Sequence, residues 1–241
     1  ELENATVLRA RVIVPLSGSA AAQENAALAA VQFQGARIEP GESLSFNQTV
    51  GMRTEESGYT AAEEPAYGQN IVGVGGGVCQ VSTALYRLAL LGGLEIAERS
   101  AAVYPVDYCE IGQEAAVSDQ GLDLVLTNNT DAPLFLVVRV YAENDGQTME
   151  WQLIGKENES RFSLVSEVET IDAPEEPVYV RDSEGRYATY ADERIPVSEA
   201  RPGYRATVSL VDENGETVRV VSEDTYDAMA QIVYVGVQQR N

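Results

Sequence analysis

The sequence predicts an α+β fold: two helices, one of them starting at Cys79, packed on a mostly antiparallel sheet and followed by a small β-rich C-terminal module. Three observations predict it. A glycine-rich run from Gly73 to Gly77 opens onto Cys79 and then onto a helical stripe of Val81, Leu85 and Leu88. Alanines crowd the stretch from Ala20 to Phe33, where Ala27 and Val31 repeat at helical spacing. Short strands separated by turn signals occupy 122–154 and recur after residue 175.

Residues 6–14 read as a strand in which Val7, Ala10 or Arg11, and Ile13 compete for the buried register. Ser17-Gly18-Ser19 breaks it, and Gly35 ends the alanine-rich helix. Pro40-Gly41 is a turn, Ser43 to Asn47 a short strand, and 51–72 a loop leading into the glycines. Gly92-Gly93 stops the Cys79 helix. Leu94 to Arg99 reads as extended, and Val103 to Tyr108 as a short strand interrupted by Pro105. Leu122–Thr127, Leu134–Ala142 and Met149–Ile154 form a meander, with turns at 128–133 and at Asn144-Asp145-Gly146. The unbroken apolar run Leu134 to Val138 predicts a central strand covered on both faces. Polar residues at 155–160 and the Pro/acid-rich 173–177 mark a boundary, which divides the chain into domains 1–158 and 159–241. The second domain is all-β, with strands at 178–181, 204–211, 217–221 and 232–236 and a hairpin signal at Glu213-Asn214-Gly215-Glu216.

The formal net charge is −22 and the chain has no histidine. Such acidity repels nucleic acid and anionic membrane surfaces, and favours neutral, cationic or metal-bearing partners. No apolar run reaches the length of a membrane span, so this chain is not expected to insert directly into a membrane. The first residue is Glu1, so export by a segment absent from this chain is expected. Two cysteines do not make a disulfide scaffold; Cys79 and Cys109 either pair, ligate something with help, or stay as thiols. There is no EF-hand loop, and zinc is disfavoured without histidine, so neither metal nor cofactor is expected.

The spacing places Cys79 at a helix N-terminus, where unpaired N–H groups and the helix dipole favour a thiolate. That is how a cysteine nucleophile is placed. The structural alternative is a tight turn followed by a buried cysteine. A nucleotide site is set aside, because Gly73-x-Gly75 continues neither as GxGxxG nor as GK[ST].

A resemblance adds to these readings. Pro40-Gly41-Glu42-Ser43-Leu44-Ser45-Phe46-Asn47, Val50-Gly51, Arg53-Thr54, Gly58-Tyr59, the motif from Gly75 to Tyr86, Gly121-Leu122-Asp123 and Asn128-Asn129-Thr130 together resemble the VanW family over roughly residues 24–140. The stretch with Ala200-Arg201-Pro202-Gly203-Tyr204 and Ile232 to Gly236 resembles a divergent G5-type β module. The resemblance implies a bacterial protein that is extracellular or cell-wall associated, linked with glycopeptide resistance and partnered by peptidoglycan or a surface glycan. On that reading Gly75, Gly76, Gly77, Gln80, Ser82, Thr83 and Tyr86 are binding candidates, and Cys79 is the catalytic candidate.

Family members often carry histidines between the Glu-Arg pair and the Pro-Val-x-Tyr segment; here the interval Glu98 to Tyr108 has none. A base would then be Asp107, Asp123 or Tyr104, and a carboxylate is a poor base for a thiol unless burial raises its pKa. Cys109 stands near the position of the missing histidines, which implies a Cys79–Cys109 disulfide worth roughly 3–4 kcal/mol. The expectation is therefore non-catalytic binding of wall polymer, with sugars stacking on Tyr59, Tyr67 or Tyr86. The alternative is a cysteine-dependent peptidase or acyltransferase, with the Gln80 N–H in its oxyanion hole. Arg87 and Arg99 are either buried partners of Glu95, Glu98 or Asp123, or exposed.

Overall fold

The computed structural model describes residues 7–66, 69–143, 146–157 and 161–240, with the backbone alone at 64–66 and 69–71. Among the described residues it is mostly β, with fifteen strands and three α-helices. The chain divides into two compact units, Glu1–Ser166 with Val208–Ser222, and Glu167–Thr207 with Glu223–Asn241.

In the first unit, β1 (Val7–Pro15), β9 (Gly146–Gly155), β8 (Leu134–Glu143) and β2 (Arg37–Ile38) form an antiparallel sheet in the order β1-β9-β8-β2. β1 settles its competing registers by burying Ala10, Val12 and Val14 and turning Arg11 and Ile13 outward. Two helices lie on the sheet. α1 (Ala20–Val31) buries Ala22, Asn25, Ala26, Ala29 and Ala30, a small-residue face that allows close approach. Its N-cap is Ser19, whose hydroxyl accepts the Ala22 N–H. α3 (Cys79–Gly92) is buried on nearly every side, as expected for a helix in the centre of a core. Gly93, at φ 78°, ends it in the left-handed conformation. The core joins Leu85, Leu88 and Leu90 of α3 to Trp151 and Leu153 of β9, with Phe33 stacked between Phe46 and Trp151 at 5.3 and 5.4 Å.

A second sheet, β3-β7-β6, combines Ser43–Ser45, Val125–Thr127 and Glu95–Glu98. The strand expected at 122–127 is therefore three residues long and pairs with β3 and β6, not with β8, so the meander is corrected to a two-stranded hairpin, β8–β9. β8 alternates between buried and half-buried positions from Leu134 to Val138, so one face is fully covered and the other only partly. Sequence reading also missed α2 (Phe46–Val50), capped by Ser45, and a single 3-10 turn at Glu55–Ser57. The expected loop at 51–72 contains instead a separate two-stranded hairpin, β4 (Ala61–Ala66) with β5 (Gln69–Val74). Residues 103–108 are not a strand. The segment 99–117 is irregular, with one bridge between Ser100 and Ala116, and buried Glu114 fixes its backbone by accepting the Gly112 and Ala102 N–H groups.

β10 (Ser163–Ile171), β13 (Gly203–Val211) and β14 (Thr217–Tyr226) form a sheet in the order β10-β13-β14. In the second unit, β11 (Val178–Asp182) runs parallel to β15 (Ile232–Gly236), and β12 (Arg194–Ser198) runs antiparallel to it on the other side. Among the described residues no helix is long and apolar enough to cross a membrane.

Candidate functional site

The glycine run is filled by the chain itself. Gly77 adopts φ 100°, and a Cβ there would lie 2.3 Å from the Ala22 carbonyl oxygen in the first turn of α1. A Cβ on Gly76 would press on Ala62 of β4 at 2.9 Å, and one on Gly75 would strike Arg53 at 2.8 Å. Asn25, 2% exposed, locks this packing: its amide donates to Gly76 O at 3.0 Å and Thr60 O at 2.9 Å, and its carbonyl accepts the Thr60 N–H at 2.9 Å. These glycines let three segments of one chain meet at backbone distance.

Cys79 begins α3, and its thiol donates to the Val117 carbonyl at 3.5 Å. Tight bonds draw in the first turn: the Gln80 N–H donates to Gly77 O at 3.1 Å and the Val81 N–H to Val78 O at 2.9 Å. The donor expected in an oxyanion hole is thus already bonded to the chain. Tyr108 hydrogen-bonds the Thr83 side chain; burial pushes its phenol well above the usual range, and the Cys79 sulfur adds to the shift electrostatically. Cys79 and Cys109 are not joined. The Cys79 thiol donates to Val117 O, both cysteines act on Tyr108, and Cys109 also feels Glu114, Arg87 and Arg99. Burial, reinforced by Glu114, pushes the Cys109 thiol up to about 12.

The remaining predicted residues make contacts within the chain itself. The Gln80 side chain clamps Ser17, accepting its N–H at 2.8 Å and donating to its carbonyl at 3.2 Å. Ser82 donates to Ala115 O at 2.6 Å, and Thr83 accepts the Ala115 N–H at 3.1 Å, so both tie α3 to the 99–117 segment. Tyr86 is 1% exposed beneath the Arg99 guanidinium, and Tyr59 is 3% exposed. Neither presents a face to a sugar, and Tyr67 lies outside the described residues. Asp107 is exposed. Asp123 accepts the Ser45 hydroxyl at 2.5 Å and the Asn47 N–H at 2.9 Å, which makes it the anchor of α2. Arg99 is buried against the Glu114 backbone carbonyl, with the Glu114 carboxylate 3.6 Å away. Among the described residues no group of three His, Cys, Asp or Glu side chains is placed to hold a metal.

Sequence reading missed Asn25, Tyr108, Glu114 and the Arg53–Asp119 ion pair at 2.8 Å. Asn25 sat inside an alanine stretch and Glu114 among many acids. Arg53 was visible only through the family pattern.

The match to the family model described as VanW like protein runs over residues 21–152, more than half of the chain and the whole of the glycine–cysteine site. The chain belongs to the VanW family. Two curated relatives agree. The "Uncharacterized protein YoaR" of Bacillus subtilis (strain 168) is 35% identical over 125 residues, 52% of this chain and 41% of the relative. The "Vancomycin B-type resistance protein VanW" of Enterococcus faecalis (strain ATCC 700802 / V583) is 28% identical over 180 residues, 72% of this chain and 61% of the relative. This VanW-family chain thus spans less than two thirds of either relative. A solved structure titled "Crystal structure of HP0197-G5" aligns with 33% of this chain and 100% of its own at 13% identity; its TM-score of 0.16 carries no argument about fold.

Proposed function

We propose that this VanW-family chain is an extracellular, cell-wall-associated protein that binds peptidoglycan or a surface glycan without catalysis. The naming of one relative for vancomycin resistance supports a setting in the wall. The G5-like sequence pattern after residue 200 supports the glycan. Catalysis is disfavoured because the chain has no histidine, the Cys79 thiol donates to Val117 O, and the glycine run is packed shut.

The observation that carries the glycan reading is an aromatic pair in the second unit. Tyr187, 50% exposed, lies 4.7 Å from the Tyr234 ring. Buried Asp182 holds the Tyr187 turn by accepting the Tyr187 and Ala188 N–H groups at 2.6 and 2.9 Å. A tyrosine pair with one ring exposed and the other half-buried provides stacking area for neutral sugar rings at low entropic cost. Co-sedimentation with purified sacculi tests the proposal. Wild type is retained, Tyr187→Ala loses several-fold, and Cys79→Ser is unchanged. Retention strengthens with salt, because an acidic protein and anionic wall polymers repel each other through the solvent. No retention of wild type at any salt concentration overturns the proposal.

One observation favours a second reading, the cysteine-dependent peptidase or acyltransferase. Cys79 starts a 14-residue helix with the Tyr108 phenol beside it, held neutral as a hydrogen-bonding group. That reading requires selective labelling of Cys79 by a peptide-like electrophile in the native protein. Labelling no faster than that of a free thiol discards it.

A further inference from the structure

The hairpin that feeds the glycine run has two unlike edges. β4 packs against α1 and carries Glu63, Glu64 and Pro65, residue types that block strand pairing. β5, Gln69-Asn70-Ile71-Val72-Gly73-Val74, has no charge and no proline, and among the described residues it pairs with β4 alone. Val72 is 69% exposed and Val74 40%.

The ladder shows which backbone groups face outward. The Gly75 N–H donates to Thr60 O at 3.1 Å, so the Thr60–Gly75 position is a hydrogen-bonded one. Antiparallel pairs alternate between bonded and non-bonded positions. Along the register Ala61↔Val74, Ala62↔Gly73, Glu63↔Val72 and Pro65↔Asn70, the outward positions on β5 are Val74, Val72 and Asn70. Pro65, which has no N–H, falls at an outward position on β4, as this phase requires. β5 therefore turns the N–H and C=O groups of Asn70, Val72 and Val74 away from β4, along an edge that no other described strand pairs with and that runs directly into Gly75 and Cys79.

We propose that the β5 edge docks an extended, cationic peptide by strand addition. Main-chain bonds to an edge of this kind provide affinity, and alternate side chains provide selectivity. Charge argues for the occupant. The chain carries −22, so an acidic strand or a second copy of this chain meets repulsion and a basic peptide meets attraction. The proposal does not depend on the glycan reading, which concerns the second unit.

The test uses the whole chain with an acetylated, amidated hexapeptide alternating lysine and valine. Hydrogen exchange is followed at Val72 and Val74, and sedimentation velocity is run in parallel. The lysine peptide is expected to protect both amides, and a glutamate–valine peptide to bind about tenfold more weakly or worse. Val72→Pro removes an outward N–H and leaves the β4 ladder intact, so it folds as wild type by circular dichroism and loses the protection. Val72→Lys keeps the N–H but adds charge to the edge, and weakens binding of the lysine peptide. Unprotected β5 amides at saturating peptide, or undiminished binding by a folded Val72→Pro protein, overturn the proposal. A concentration-dependent dimer that Val72→Pro abolishes overturns it in favour of a second copy. Sacculus retention is read separately, so failure of one proposal is distinguishable from failure of the other.

Discussion

Gly77 shows how one residue serves the fold. Its φ of 100° is strained for any side chain, and a Cβ would overlap the backbone of Ala22, which cannot swing away. Gly77→Ala is expected to cost about 3 kcal/mol or more, read as a lower urea midpoint. Gly35, at φ 77° with open space around it, is the control, and Gly35→Ala should cost about 1 kcal/mol. Equal costs would mean that backbone conformation, not close packing, is what the motif needs. Cys109 gives a second test at this scale. With its thiol raised to about 12, native alkylation at pH 8 should be far slower than in the unfolded chain, where the thiol titrates near 9. Rapid native labelling of Cys109 would refute the burial argument.

Among the elements, α2 tests what Asp123 does. Its carboxylate accepts from Ser45, Asn47 and Leu124, bonds that fix the first turn of a five-residue helix and the start of β7. Asp123→Ala is expected to lower stability by about 2 kcal/mol, because three part-buried donors lose their acceptor. The Cys79 alkylation rate should be unchanged; a slower rate would restore Asp123 as a base. This case also shows which elements were readable. α1 and α3 were legible because alanine content and an apolar stripe are local signals closed by Gly35 and Gly93. β8 was legible as a long apolar run, and β9 as the strand that follows the Asn144-Asp145-Gly146 turn signal. α2 was not, because five residues held by a side chain 76 positions away leave no local periodicity. The β4–β5 hairpin was hidden by charge and proline in one strand and glycine in the other. Val103–Tyr108 looked β-like, but the buried Glu114 carboxylate holds the N–H groups of Ala102 and Gly112 on either side of it in irregular backbone. At the site, the glycines and Cys79 were plain in sequence, but that the glycines face Ala22, Ala62 and Arg53 depends on tertiary contacts.

For the whole molecule, two opposing effects of pH act on stability. The charge of −22 with an isoelectric point near 4.2 means self-repulsion that relaxes as pH falls from 8. Against this, backbone N–H groups hold the Asp182, Glu193 and Asp212 carboxyls below their usual range. A carboxylate with a depressed folded pKa contributes stability above its unfolded value, near 4, and loses it as pH falls through the folded value. Cys109 acts at the other end. Its folded pKa is raised, so its contribution is intact below about 9 and is lost as pH climbs toward 12. The sum is a dome. The urea midpoint, followed by far-UV circular dichroism, should rise from pH 8 to a maximum at about 5 to 6, then fall steeply below about 4. Added salt should raise the midpoint at pH 8 and change it little at the maximum, where less repulsion remains to screen. A midpoint that climbs steadily from pH 4 to pH 8 would show that self-repulsion is unimportant, and the expected rise of sacculus retention with salt would then lose its physical basis.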